Sequence, residues 1–198
     1  MAKPLTTTAQ ALLGLLSIQP WSTYELAKQV DRSLGWFWPR TERKIYDEAK
    51  KLVESGDATA TAETTGSRPR TVYTITAKGR RTLQGWLDQD SAPPKLEAEA
   101  LVRVFFADAG TFDQLQATID DLATTAQTNL DELRALIAAA DDPDYPFAER
   151  RHINAIAIRF QLDYNHMIAD WAQWATTQTD SWNDIDDPDA WDWHAALT

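Results

Sequence analysis

Apolar residues recur at helical spacing in several stretches of the chain and alternate with polar ones in two short stretches between them. Over residues 6–18, Ala9, Leu12, Leu13, Leu15 and Leu16 keep a helical period; threonine hydroxyls stand at the start and Pro20 ends the run. Ser22, with Glu25 three residues on, has the pattern of a capping box. It opens a second helix that places Tyr24, Leu26, Val30 and Leu34 near one face before Gly35. Trp36, Phe37, Trp38 and Pro39 form the next turn. Residues 41–55 predict a third helix with Ile45, Ala49, Leu52 and Val53 inside, Arg43, Lys44, Asp47, Lys50 and Lys51 outside, and Gly56 at its end. Residues 58–63 and 71–76 read as short threonine-rich strands joined by a flexible basic loop over residues 64–70. Residues 77–87 predict a fourth helix, after which Ser91, Ala92, Pro93 and Pro94 break the period.

Beyond that break lie three long helical patterns. The first covers residues 96–107 with Leu96, Leu101, Val104 and Phe105, and Gly110 interrupts it. Phe112, Leu115, Ile119, Leu122, Ala126, Leu130, Leu133 and Ile137 then repeat every three or four residues, up to Asp141, Asp142 and Pro143. From Phe147 onward, Ile153, Ile156, Phe160, Tyr164, Met167, Trp171 and Trp174 do the same along a helix of about 30 residues, or about 45 Å. Stripes this long need partners, which favours helix packing between two copies of the chain. The organisation expected is residues 1–90 as one domain, 91–179 as a second, helical one, and 180–198 as an acidic tail whose Trp182, Trp191 and Trp193 are unusual for a solvated segment.

Charge sharpens this division. The net charge of −11 argues against a polyanionic partner. Residues 1–90, however, hold 13 Lys/Arg against 10 Asp/Glu, whereas residues 91–198 hold 6 against 20. A basic module can meet DNA while an acidic one is repelled from it. The absence of cysteine removes disulfides and thiolate chemistry. No apolar run has the length of a membrane helix, and residues 1–8 lack the layout of a signal peptide, so a cytoplasmic protein is expected.

The expected fold is mainly α: an N-terminal winged helix-turn-helix of three helices, a β-hairpin wing and a fourth helix, followed by a C-terminal antiparallel long-helix dimerisation domain. In a winged helix the third helix enters the major groove and the wing contacts phosphates or the minor groove. Arg40, Thr41, Arg43 and Lys44 are placed to reach base edges. Lys28, Lys50 and Lys51 suit phosphate contacts, and Arg68 and Arg70 supply the wing. Asp47 and Glu48 cut against this reading, since a carboxylate facing phosphate is repelled.

The same region resembles the PadR family of transcriptional regulators. The matching pieces are Ala11-Leu12-Leu13-Gly14-Leu15-Leu16, Tyr24-Glu25-Leu26, Phe37-Trp38-Pro39, Ile45-Tyr46, Lys50-Lys51-Leu52 with Gly56, and residues 68–76 with Gly79. Where the family usually carries Pro-Ala-Leu after the recognition-helix tyrosine, this chain has Asp47-Glu48-Ala49. The resemblance implies a homodimeric repressor of the subgroup with a long helical C-terminal domain, bound to a pseudo-palindromic double-stranded DNA operator. It further implies that Tyr24, Thr41, Lys44, Tyr46, Lys50 and Tyr73 lie near DNA, and that a small, commonly aromatic effector releases it.

Trp36, Trp38, Tyr164, His166 and Trp171 are the candidate effector-pocket residues, pictured between the domains; core or interface packing is the competing reading. Glu149 with His152, and Asp163 with His166, each resemble half of a carboxylate-bridged metal site. They fall about 21 Å apart on one helix and cannot share an ion, so no metal or cofactor is expected. No catalytic constellation stands out, so the protein is not read as an enzyme. The alternative function is a winged-helix protein-interaction module without DNA binding.

Overall fold

A computed structural model describes residues 4–65, 68–142, 145–189 and 191–197. The chain divides between Pro94 and Lys95 into two compact units.

In the first unit, α1 (Thr7–Ile18) starts at Thr6, whose hydroxyl accepts from the Ala9 amide at 3.1 Å. Leu12, Leu13 and Leu16 of α1 are at most 1% exposed, a burial that contributes about 1.5–3 kcal/mol per side chain. Strand β1 (Trp21–Ser22) precedes α2 (Thr23–Leu34), and the full capping box of Ser22 and Glu25 is present. Helix α3 (Glu42–Glu54) begins at the N-cap Thr41 and buries Ile45, Glu48, Ala49 and Leu52. Gly56 follows with φ 75°, the left-handed conformation that lets the chain turn out of a helix without steric cost.

Strands β2 (Ala58–Thr65) and β3 (Arg68–Ile75) form an antiparallel hairpin, and β1 adds to β3 to give the order β1-β3-β2. Helix α4 (Ala77–Leu87) closes the unit, capped by Thr76. A Cβ at Gly79 would collide with the Asp57 carbonyl, so α4 can approach the start of β2 this closely only with glycine there. Two features differ from expectation. The short strand β1 carried no periodic signal, since two residues cannot show one. The segment 64–70 is also mostly strand: pairing continues through Glu63↔Arg70 and Thr64↔Pro69 to Thr65↔Arg68. Pro69 lies beyond the two β3 residues that β1 covers, where that strand has an open edge and tolerates a proline. Gly66 and Ser67, the centre of the expected loop, lie outside the described residues, as does Pro143 farther on.

The second unit holds α5 (Glu99–Phe105), α6 (Phe112–Ala139) and α7 (Arg151–Thr179). Helix α5 is shorter than the expected 96–107, because Ala98 has no side-chain cap to offer and Leu96, 65% exposed, gains little from burial. Helices α6 and α7 run antiparallel. Leu115, Ile119, Ala126, Leu130 and Leu133 of α6 are buried, as the periodicity predicts. On α7 the buried residues are instead Gln161, Asn165, Ala172, Ala175 and Thr179. Small and polar groups let the two helices approach, and the Asn129 amide donates to Asn165 Oδ1 at 2.9 Å across the seam. Much of the predicted α7 stripe points the other way, Ile153, Ile156, Phe160 and Met167 being 48%, 75%, 62% and 52% exposed, while Trp171 from the same stripe packs against the α6–α7 cluster. After α7 the tail folds back on its own unit, with Trp182 and Ile185 packed against the cluster of Leu115, Ile119, Ala172 and Ala175. Among the described residues no helix is long and apolar enough to cross a membrane.

Candidate nucleic-acid interface

Helix α3 presents its cations unequally. Arg43 and Lys50 are exposed and carry no ion pair or hydrogen bond among the described residues. Arg40, just ahead of the helix, is exposed yet oriented: its guanidinium lies 4.1 Å from the Trp38 ring, Nη1 donates to the Pro39 carbonyl at 2.6 Å, and Nε donates to the Thr8 hydroxyl at 3.3 Å. Stacking and hydrogen bonding together fix the plane of the fork, the requirement for bidentate recognition. Thr41 is exposed, and its oxygen accepts from the Lys44 amide at 3.4 Å while its proton remains available.

Lys44 and Lys51 are held differently. Both ammonium groups converge on Oε1 of Glu48, at 3.0 and 2.9 Å, while the Thr6 hydroxyl donates to Oε2 at 2.8 Å. The Glu48 side chain is only 1% exposed. Burial pushes its carboxyl pKa up, but the hydrogen bonds from Lys51, Lys44 and Thr6 outweigh this and bring it down to about 2. Glu48 is therefore not a carboxylate turned toward phosphate. It is an internal anchor that occupies two of the helix's four lysine and arginine side chains. Its position was readable: residues 45, 48, 49 and 52 share one helical stripe, with lysines four before and three after Glu48.

On α2, Tyr24 is 57% exposed and the Lys28 ammonium sits 4.7 Å from its ring centre. Tyr46 is half-buried, and its hydroxyl donates to Glu42 Oε2 at 3.4 Å; desolvation first, then the Glu42 charge, raises its pKa. In the hairpin, Arg70 bonds Glu63 at 2.9 Å and stands 3.9 Å from Glu25, so it links the wing to α2. Glu25 in turn has its pKa lowered, chiefly by the Ser22 hydroxyl and amide, with a smaller part from Arg70. The side chain of Arg68 lies outside the described residues. Tyr73 departs from expectation. It is 5% exposed in the central strand, opposite Trp21, so its ring packs in the core and does not project toward a groove.

The candidate pocket residues also separate. Trp36 and Trp38 are half-buried in the first unit, and Trp38 supports Arg40. In the second unit His166 is exposed, Tyr164 is half-buried, and Trp171 packs against the cluster formed by Leu115, Ile119, Ala172 and Ala175. Asp163 is engaged by Arg159 Nε at 2.8 Å, and no group of three or more metal-ligating side chains occurs among the described residues.

Two family models match the chain: the transcriptional regulator PadR-like family over residues 12–85, and the virulence activator alpha C-terminal family over residues 98–180. The negative transcriptional regulator PadR of Bacillus subtilis is 24% identical over 163 residues, covering 79% of this chain and 90% of that protein. The crystal structure of Bacillus subtilis PadR in complex with operator DNA has a TM-score of 0.72 at 21% identity, over 85% of this chain and 96% of that one. The same protein in complex with p-coumaric acid gives 0.67 at 21% identity, over 85% and 95%.

Proposed function

We propose, from the match of residues 12–85 to the PadR-like family of transcriptional regulators, that the chain is a homodimeric, sequence-specific DNA-binding repressor in the cytoplasm, released by a small effector. The observation that carries the DNA-binding reading is the set of exposed cations at and along α3: Arg40 oriented by Trp38, and Arg43 and Lys50, which have no partner among the described residues. Arg40, Thr41 and Arg43 read base edges in the major groove of a pseudo-palindromic operator. Lys50, with Lys28 and Tyr24 on α2, contacts phosphate. Lys44, Lys51 and Tyr46 lie on the same surface but are engaged by acidic neighbours, and Arg68 and Arg70 serve the wing.

Pairing of two chains is supported by the outward stripe of α7, Ile153, Ile156, Phe160 and Met167; Val102 of α5 and Phe106 just after that helix are also exposed, at 55% and 59%. An apolar helix stripe of this kind is seldom left in water by a monomer. A two-fold pair sets two α3 helices at a pitch of one DNA turn, about 34 Å, or a multiple of it. Effector release follows if the ligand favours a pairing in which that pitch is lost.

Fluorescence anisotropy on DNA from upstream of its own coding sequence tests this. Arg43→Ala weakens operator binding by about 1–3 kcal/mol. Lys50→Ala lowers the slope of log affinity against log salt by about 0.9. Affinity indifferent to salt and to both substitutions would refute DNA binding and leave a protein-interaction module.

A further inference from the structure

The second unit contains an open cleft of about 390 Å³ whose walls are unusually rich in tryptophan: Trp171 and Trp174 from the end of α7, Trp182 and Trp191 from the tail, and Phe105 from α5. The volume falls within the range of small-molecule sites. The tail wall is built and fixed. Trp182 and Trp191 meet edge to face with centroids 5.5 Å apart, and the Trp191 indole N–H donates to Gln178 Oε1 at 2.9 Å, which pins the tail to α7. Trp182, Ile185 and Trp191 lie beyond the match to the C-terminal family model, which ends at residue 180.

We propose that this cleft binds a planar aromatic cation. The rings supply stacking faces whose negative quadrupoles attract positive charge. Asp108 is the one ionisable residue among those lining the cleft. The segment that supplies the tail wall carries the same sign: residues 170–198 contain seven aspartates and no lysine or arginine. An aromatic carboxylate would find no cation to pair with and would be repelled by this field, whereas a protonated aromatic amine is attracted. The buried indole N–H of Trp182 has no acceptor among the described residues, so a ring bearing a hydrogen-bond acceptor gains further once the wall adjusts. The site stands independently of DNA binding, since every group in it lies in the second unit.

Isothermal titration calorimetry of the full chain, without DNA and near neutral pH, uses three probes of similar shape: proflavine as the cation, acridine as the neutral ring and acridine-9-carboxylate as the anion. The expected order of affinity is cation, neutral, anion, with one site per protomer. Asp108→Asn lies on the surface and spares the fold; it weakens proflavine about fivefold and leaves acridine unchanged. Trp191→Ala weakens all three. The proposal is overturned if the carboxylate binds as tightly as proflavine, or if neither substitution alters any affinity. Absence of binding overturns it too, including the case in which a second copy of the chain fills the cleft, which cross-linking from Phe105→Cys would reveal.

Discussion

Replacing Glu48 with glutamine separates two roles of the same carboxylate. In the wild-type chain its pKa of about 2 compares with an ordinary 4.5. A difference of that size corresponds to at most about 3 kcal/mol of stabilisation. The two lysine side chains that cover it are 44% and 54% exposed, so solvent screening reduces the contribution to about 1–2 kcal/mol. Because the folded pKa lies below the unfolded one, this stabilisation is complete above about pH 4.5 and disappears as pH falls through about 2. Urea unfolding of wild type and Glu48→Gln should therefore differ by about 1–2 kcal/mol at neutral pH and converge in acid. The second effect runs the other way. Glutamine cannot hold Lys44 and Lys51 by charge, so both become free to meet phosphate, and the salt slope of DNA binding steepens by up to about 2. Glu48→Gln thus yields a less stable protein that binds DNA with less discrimination. Equal stability at neutral pH together with an unchanged salt slope would refute the assignment of Glu48 as an anchor.

Three further outcomes follow from the packing. Asn165→Ala removes a 2%-exposed side chain and leaves the Asn129 amide without its partner at the α6–α7 seam; thermal or urea unfolding should show a loss of about 2 kcal/mol. Ile156→Lys or Phe160→Lys places charge on the outward stripe of α7, so light scattering should report a protomer in place of a dimer while circular dichroism keeps the helix signal; a dimer that persists would move the pairing surface elsewhere. Tyr73→Ala costs about 3 kcal/mol of stability as a core truncation, whereas Tyr73→Phe, which removes only the hydroxyl, leaves operator affinity unchanged because that group makes no contact with DNA.

The winged helix was legible because its helices carry caps as well as periodicity. Thr6 and Ser22 accept the amide hydrogen bonds that their spacing foretells, whereas Thr41 and Thr76, read as helix and strand residues, cap α3 and α4 in the same way. What escaped has a physical pattern. The strand β1 is set by pairing with residues 50 positions away, which local spacing cannot encode. The α7 stripe was read correctly as apolar, but periodicity says which residues share a face and not which neighbour covers it; Asn165 and Ala172 won the place against α6 because they allow a close approach. Glu48 was judged by charge and passed for a repulsive surface group, and Tyr73 was placed near DNA by the family resemblance, when burial assigns both to the interior. In the tail the aspartates and the tryptophans pointed opposite ways, and it is Trp182 and Trp191 that decide the outcome by docking on the helical unit.

Hydroxyl-radical footprinting on the DNA upstream of its own coding sequence tests the central claim most directly. Two protected patches, spaced by one helical turn or a multiple of it, are expected with wild type, and both should fade with Arg43→Ala combined with Lys50→Ala and with the protomer-forming Phe160→Lys. Protection confined to a single patch, or a footprint untouched by these changes, would contradict a paired display of α3.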